Sequence, residues 1–230
     1  MITPYDWQEG MGHRAEFVEA RLKAGAPVIA VSIPDGILLA TYRGQASKLH
    51  EIYDRIAYSA IGMQSDVEAI RVAAVEFCHQ EGFRRSEDDV TLQRLATRMS
   101  EPVKRAFGDF RSAPIVVRSL FAEVGPTLEE DLYYMLDFDG DYAVRRGMSI
   151  LSGSKEAFDA MRQAIQDVDF TKIARVDAEA QLREALIKGM DPEGAEAVKG
   201  DMPELVFESA ILRRDHQTTR KFLRLADPNI

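Results

Sequence analysis

The chain has 230 residues, 46% hydrophobic and 29% charged, which is enough apolar material for one sizeable core. Its net charge of −9 and pI near 5.1, with Lys and Arg interspersed among Asp and Glu, exclude the clustered cations that nucleic acid requires. No apolar run reaches the roughly 18 residues of a membrane span, MITPYDWQEG lacks the features of a signal peptide, and the single cysteine, Cys78, excludes an internal disulfide framework; the chain reads as cytoplasmic.

Residues 1–10 carry Pro4, Tyr5, Trp7 and Gly10 without strong periodicity. From Met11 the spacing turns helical, with Met11, Ala15, Val18 and Leu22 on one face, until Gly25 and Pro27 end the helix. VIAVSI (28–33) predicts a strand covered on both faces. Pro34-Asp35-Gly36 predicts a turn, and ILLAT (37–41) its partner strand. SKLHEIYDRIAYSAIG (47–62) predicts two more short strands with a turn near Tyr53-Asp54. Lys48 opens the first of them, ahead of Leu49 and Ile52, and from pattern alone it reads as a solvated surface lysine.

After Gly62 the period becomes 3.6. Ser65 and Glu68 form a candidate capping box, Val67, Ile70, Ala74, Phe77 and Cys78 a buried stripe, and Gly82 a stop. A second helix is predicted from Ser86, where three acids suit the positive end of its dipole. Its buried face is Leu92, Leu95, Ala96, Met99 and Val103, and Pro102 predicts a kink or break. Strands follow at 114–125, 131–140 and 142–153, then helices over roughly 154–167 and 174–189, then strands at 204–215 and near 221–225. DPEGAEAVKGD (191–201) reads as a surface loop. Strands in two groups with helices in pairs imply an α+β chain in four layers, αββα, with two facing sheets each covered by a helix pair.

Candidate chemistry is sparse. His13, His50, His79 and His216 are not paired at helical spacing, and neither HExxH nor CxxC occurs, so no metal site is expected. Glycine-rich phosphate cradles are absent, and no cofactor is expected. Cys78 lies on a buried stripe and reads as a core thiol. Ser152-Gly153-Ser154 fits either a nucleophile or a strand-to-helix turn with Ser154 as N-cap. Asp137 and Asp139 flank a predicted hairpin tip.

The stretch AEFVEARLKAGAPVIAVSIPDGILLATYRG, followed by SKLHEIYDRIAYSAIGMQSDVEAI, resembles the 20S proteasome subunit family, and most closely its α-type members from archaea and actinobacteria. The resemblance rests on Glu16-Phe17, on Gly25 opening the first strand, and on the ungapped spacing from Lys48 to Gly62 and Asp66. It is strongest over residues 11–80. It implies the N-terminal-nucleophile hydrolase fold with an added N-terminal helix, a gate segment at 1–10 and one domain over 11–230. Catalytic members of the family begin the first strand with a threonine freed from a preceding glycine. Here Ala26 follows Gly25 and has no hydroxyl with which to attack a carbonyl. Tyr42 replaces the family's acid on the second strand, and 191–201 has no Asp-Ser-Gly match. The resemblance therefore implies a non-catalytic subunit of a threonine-type endopeptidase complex.

It also implies roles for particular residues. Lys48 would receive the C-terminal carboxylate of a regulatory ATPase tail, with Gly62 and Met63 on the pocket wall and Glu16 on the gate-side rim. Tyr5, Asp6 and Trp7 would belong to the gate; Trp7 stands where the archaeal pattern has arginine, and either plugging the pore or packing on the ring surface suits it. The implied partners are copies of itself in a homo-oligomeric ring, a heptamer by analogy, with β-type subunits, an AAA+ ATPase activator and unfolded protein substrates, and neither nucleic acid nor membrane. Two competing readings are an active self-compartmentalised peptidase using Ser32 or Ser154, and a ring-forming scaffold outside protein degradation.

Overall fold

The run Val28–Ile33 (β1) is buried at all six positions, and a tight Pro34-Asp35 turn returns it to Gly36–Arg43 (β2). Gly36 sits at φ +147°, where an added Cβ would lie 2.1 Å from the Leu212 carbonyl oxygen, so only glycine fits the turn. The computed structural model, which describes residues 4–190, 196, 198, 204–215 and 220–225, builds two five-stranded antiparallel sheets. The first contains, in spatial order, Phe222–Leu225 (β10), Val206–Arg213 (β9), β2, β1 and Met148–Leu151 (β8). The second contains His50–Tyr53 (β3), Ile56–Gly62 (β4), Val117–Glu123 (β5), Leu132–Leu136 (β6) and Tyr142–Arg145 (β7). The helices are Pro4–Leu22 (α1), Gln64–Arg84 (α2), Leu92–Gly108 (α3), Lys155–Ile165 (α4) and Arg175–Lys188 (α5).

Strand alternation sorts the core into three slabs. Val28, Ala30, Ile37 and Leu39 meet Ala57, Ile61, Leu120 and Ala122 between the sheets. Their neighbours Ile29, Val31, Leu38 and Ala40 turn outward onto Met161, Ile165, Leu182 and Ala185 of α4 and α5. On the other side Tyr58, Ala60 and Phe121 pack on Ile70, Ala74, Cys78, Leu95 and Met99 of α2 and α3. The result is the expected αββα sandwich, with Val18 and Leu22 of α1 closing one end of the middle slab.

Several local expectations are corrected. Helix α1 starts at Pro4, so residues 4–10 are helical; a proline is tolerated in a first turn, where its missing N–H would be unbonded anyway. The Ser65–Glu68 box does not form. The Met63 N–H donates to the Val116 carbonyl at 2.9 Å, which starts α2 at Gln64 and leaves Ser65 inside it, while Glu68 pairs with Arg71. Gly82 does not stop α2, which continues to Arg84; its backbone is pressed against the Tyr53 hydroxyl. Ser86 caps only a short 3-10 turn, Glu87–Asp89, and Thr91 caps α3. Helix α3 runs past Pro102, which is exposed, so the carbonyl its ring leaves unbonded faces water.

The predicted strand 142–153 is two strands in different sheets. Arg146 and Gly147, the latter at φ +76°, turn the chain between β7 on β6 and β8 on β1. The predicted 131–140 strand ends at Leu136, where Gly140 N–H donates to the Asp137 carbonyl at 3.0 Å to make the hairpin tip. Apart from residues 196 and 198, the predicted loop 191–201 lies outside the described residues, as does His216.

Candidate functional site

The segment entering β3 is held from several sides. Leu49 is wholly buried between the sheets. The Glu208 carboxylate, on β9 and only 7% exposed, accepts from the Lys48 backbone N–H at 2.8 Å and from the Ser47 hydroxyl. Arg224 on β10 donates to Ser47 Oγ at 3.1 Å and to the Leu49 carbonyl at 2.9 Å. Held this way, Lys48 turns its ammonium inward and donates to the Ala26 carbonyl oxygen at 2.5 Å. The surface reading of Lys48 is thereby corrected: the side chain closes over the start of β1.

Burial lowers the Lys48 pKa to about 8, and the Glu208 charge offsets part of that shift. Glu208 spends its own ion pairing on Arg224 and Arg43, at 3.6 and 3.9 Å. Among the described residues no carboxylate comes within ion-pair range of Lys48 Nζ.

Gly62 and Met63 end the strand next to β3. The Gly25 backbone lies against Ile61, where an added Cβ would be 3.0 Å from that side chain, so the start of β1, which Lys48 covers, adjoins the end of β4. Gly62 adopts φ +142°, and an added Cβ would stand 2.1 Å from the Val116 carbonyl oxygen, so the chain's own packing demands glycine here. Met63 is half exposed at the mouth of α2. Glu16 is exposed on α1, and no hydrogen bond or ion pair joins it to the Lys48 cluster.

Tyr5, Asp6 and Trp7 are exposed on the first turns of α1. The Trp7 ring meets Phe110 edge-on, with centroids 6.4 Å apart. Gly10 packs on the same ring, and Arg14 lies over it while donating to the Ala106 and Ser112 carbonyls at 3.1 and 3.0 Å. Trp7 thus packs on its own subunit's surface in this monomer.

The serines of the peptidase reading are engaged elsewhere. Ser32 is 3% exposed and shares a 2.8 Å hydrogen bond with the Tyr133 hydroxyl. Ser154 Oγ accepts from Ala157 N–H at 3.2 Å and caps α4. The Gly153 backbone is pressed under the Leu22 carbonyl, where a Cβ would come to 2.0 Å, so the turn seals the joint between α1 and β1. Tyr42 faces away from the middle slab and packs edge-on against Phe207, centroids 5.5 Å apart. Burial pushes the Cys78 thiol up to about 12, as a core cysteine requires. Sequence reasoning missed Glu208. Its signal was an acid set inside the apolar run LVFESAIL, since a charge buried in a strand needs partners.

Two facing sheets with a helix pair outside each define the N-terminal-nucleophile sandwich class, here with Ala26 ahead of the first strand and helix α1 upstream of it. A family model described as "Proteasome subunit" matches residues 22–201. The proteasome subunit alpha of Pseudarthrobacter chlorophenolicus is 30% identical over 226 residues, covering 96% of this chain and 93% of that protein. Those of Jonesia denitrificans and Streptosporangium roseum are 28% and 29% identical; the matches cover 94% and 100% of this chain, and 89% and 86% of those proteins. The chain belongs to the proteasome subunit family, and within it to the α type. Among the described residues no helix is long and apolar enough to cross a membrane.

Proposed function

We propose that this α-type subunit forms a cytoplasmic ring, heptameric by family analogy, that caps a ring of threonine-type β subunits and gates the entry of unfolded chains. The tails of an AAA+ ATPase would dock at Lys48, Gly62 and Met63, with Glu16 on the rim, and the segment carrying Tyr5, Asp6 and Trp7 would shift in response. One observation carries this reading. The enclosed Lys48 ammonium has a carbonyl as its acceptor and, among the described residues, no carboxylate in ion-pair range. A chain-terminal carboxylate is the counter-charge such a group lacks. One charge-assisted hydrogen bond of this kind contributes about 1.5–3 kcal/mol, which is weak alone but multiplied by avidity around a ring. The Trp7–Phe110 contact supports a gate segment that rests on its own subunit and can be moved from it.

The test is Lys48→Ala in the ring co-assembled with its β-type partner. Electron microscopy is expected to show intact rings, and peptide hydrolysis is expected to lose its stimulation by the ATPase. Stimulation equal to that of the parent would remove the docking role. The α chain alone is expected to leave fluorogenic peptides uncut.

A further inference from the structure

At the edge of the sandwich where β7 crosses to β8, a cavity of about 390 Å³ opens between the sheets and α4. Its apolar wall is Met135, Met148, Ile150 and Phe158, and its cations are Arg145, Arg146 and Arg162; among the described residues no acid lines it. Arg146 spends one N–H on the Glu129 carbonyl, and among the described residues none of the three guanidiniums is in an ion pair. This is unusual in a chain of net charge −9. Ser149 also lines the cavity. It is 2% exposed, and its Oγ has no hydrogen-bond partner among the described residues. A buried hydroxyl without a partner costs about 1–3 kcal/mol, so its retention needs a reason.

We propose that Arg145, Arg146, Arg162 and Ser149 form a binding site for a small phosphate monoester. The phosphate suits the polar side. It carries nearly two charges and three acceptor oxygens, which match several guanidinium forks and one hydroxyl donor, whereas a carboxylate offers one charge and two oxygens. The organic body suits the other side. The cavity is larger than a bare phosphate needs, within the range of small-ligand sites, and its wall is thioether, aliphatic and aromatic. The site lies apart from Lys48, and the inference does not depend on tail docking.

Titration calorimetry on the assembled subunit, at fixed ionic strength, tests it with phenyl phosphate, inorganic phosphate and benzoate. Saturable binding is expected, tightest for phenyl phosphate and weakest for benzoate. Arg162→Ala, on an exposed helix position, is expected to weaken phenyl phosphate binding about tenfold or more. Ser149→Ala is expected to weaken it about threefold while holding or raising the melting temperature, since it removes an unbonded buried hydroxyl. Absence of saturable binding, equal affinity in Arg162→Ala, or benzoate binding as tightly as phenyl phosphate would each overturn the proposal. So would binding by dissociated chains that is lost in the assembly, because a neighbouring copy would then fill the cavity.

Discussion

Lys48 is charged at pH 7, and the fold bears the desolvation of that charge, since burial holds its pKa at about 8 against 10.5 for a free lysine. Between those two values the unfolded chain binds more protons than the native one. The destabilisation is therefore complete below pH 8 and fades as pH rises toward 10.5. Lys48→Met keeps the stem's bulk and removes the charge. It is expected to raise the unfolding free energy at pH 7 by about 1–3 kcal/mol, a gain that shrinks above pH 8. Urea melts across this range check it; a variant less stable at pH 7 would mean that the Ala26 hydrogen bond outweighs desolvation. Under the proposed docking role, that cost to the fold is the cost of holding a charge ready for a tail carboxylate. The lysine's position was legible in the spacing from Lys48 to Gly62 and Asp66. Its enclosure was not, because Glu208, which holds its backbone, lies 160 residues away and periodicity carries no information about such partners.

The elements follow the same division. Helix α1 was legible where its own apolar stripe buries it, at Val18 and Leu22, and illegible over residues 4–10, which are seated by another element. Phe110, in the loop after α3, touches Gly10, Trp7 and Arg14 at once. Phe110→Ala removes an aromatic pair and a cation–π contact, together about 1–2 kcal/mol of local stability. Amide exchange over residues 6–12 is expected to speed up about tenfold, with little change in the global melt. Hydrogen-exchange mass spectrometry reads both; unchanged exchange would mean that the seat lies elsewhere. The β7–β8 boundary was illegible for a related reason. Both halves of 142–153 have strand-like composition, and only their pairing with β6 and with β1 reveals two sheets. By contrast, the αββα order was legible, because alternation in the strands and a 3.6 period in the helices each follow from which face is buried.

At the scale of the whole molecule, the two sheets are joined by an apolar slab and by polar bridges at its margins, among them the Arg214 guanidinium. Arg214, just past β9, donates to both oxygens of Asp131 at 2.7 and 2.9 Å, and Asp131 precedes β6 in the other sheet. The same guanidinium reaches the carbonyls of Gly125 and Thr127, each at 2.8 Å, and of Ile33 at 3.3 Å. Asp131 is fully buried and also accepts the Gly125 N–H at 2.9 Å. A buried pair of this kind contributes little net stability when formed, because desolvation offsets attraction. Breaking it is different: Arg214→Met strands a carboxylate and several carbonyls away from water. We expect a loss of about 3–5 kcal/mol in urea unfolding at pH 7. Adding Asp131→Leu to that variant should recover part of the loss, because the stranded charge is then gone. The interaction joins both sheets, so the loss should move fluorescence and circular-dichroism transitions together, as one cooperative unit. Separate transitions would show the sheets unfolding independently and would limit the role of Arg214 to its own loop.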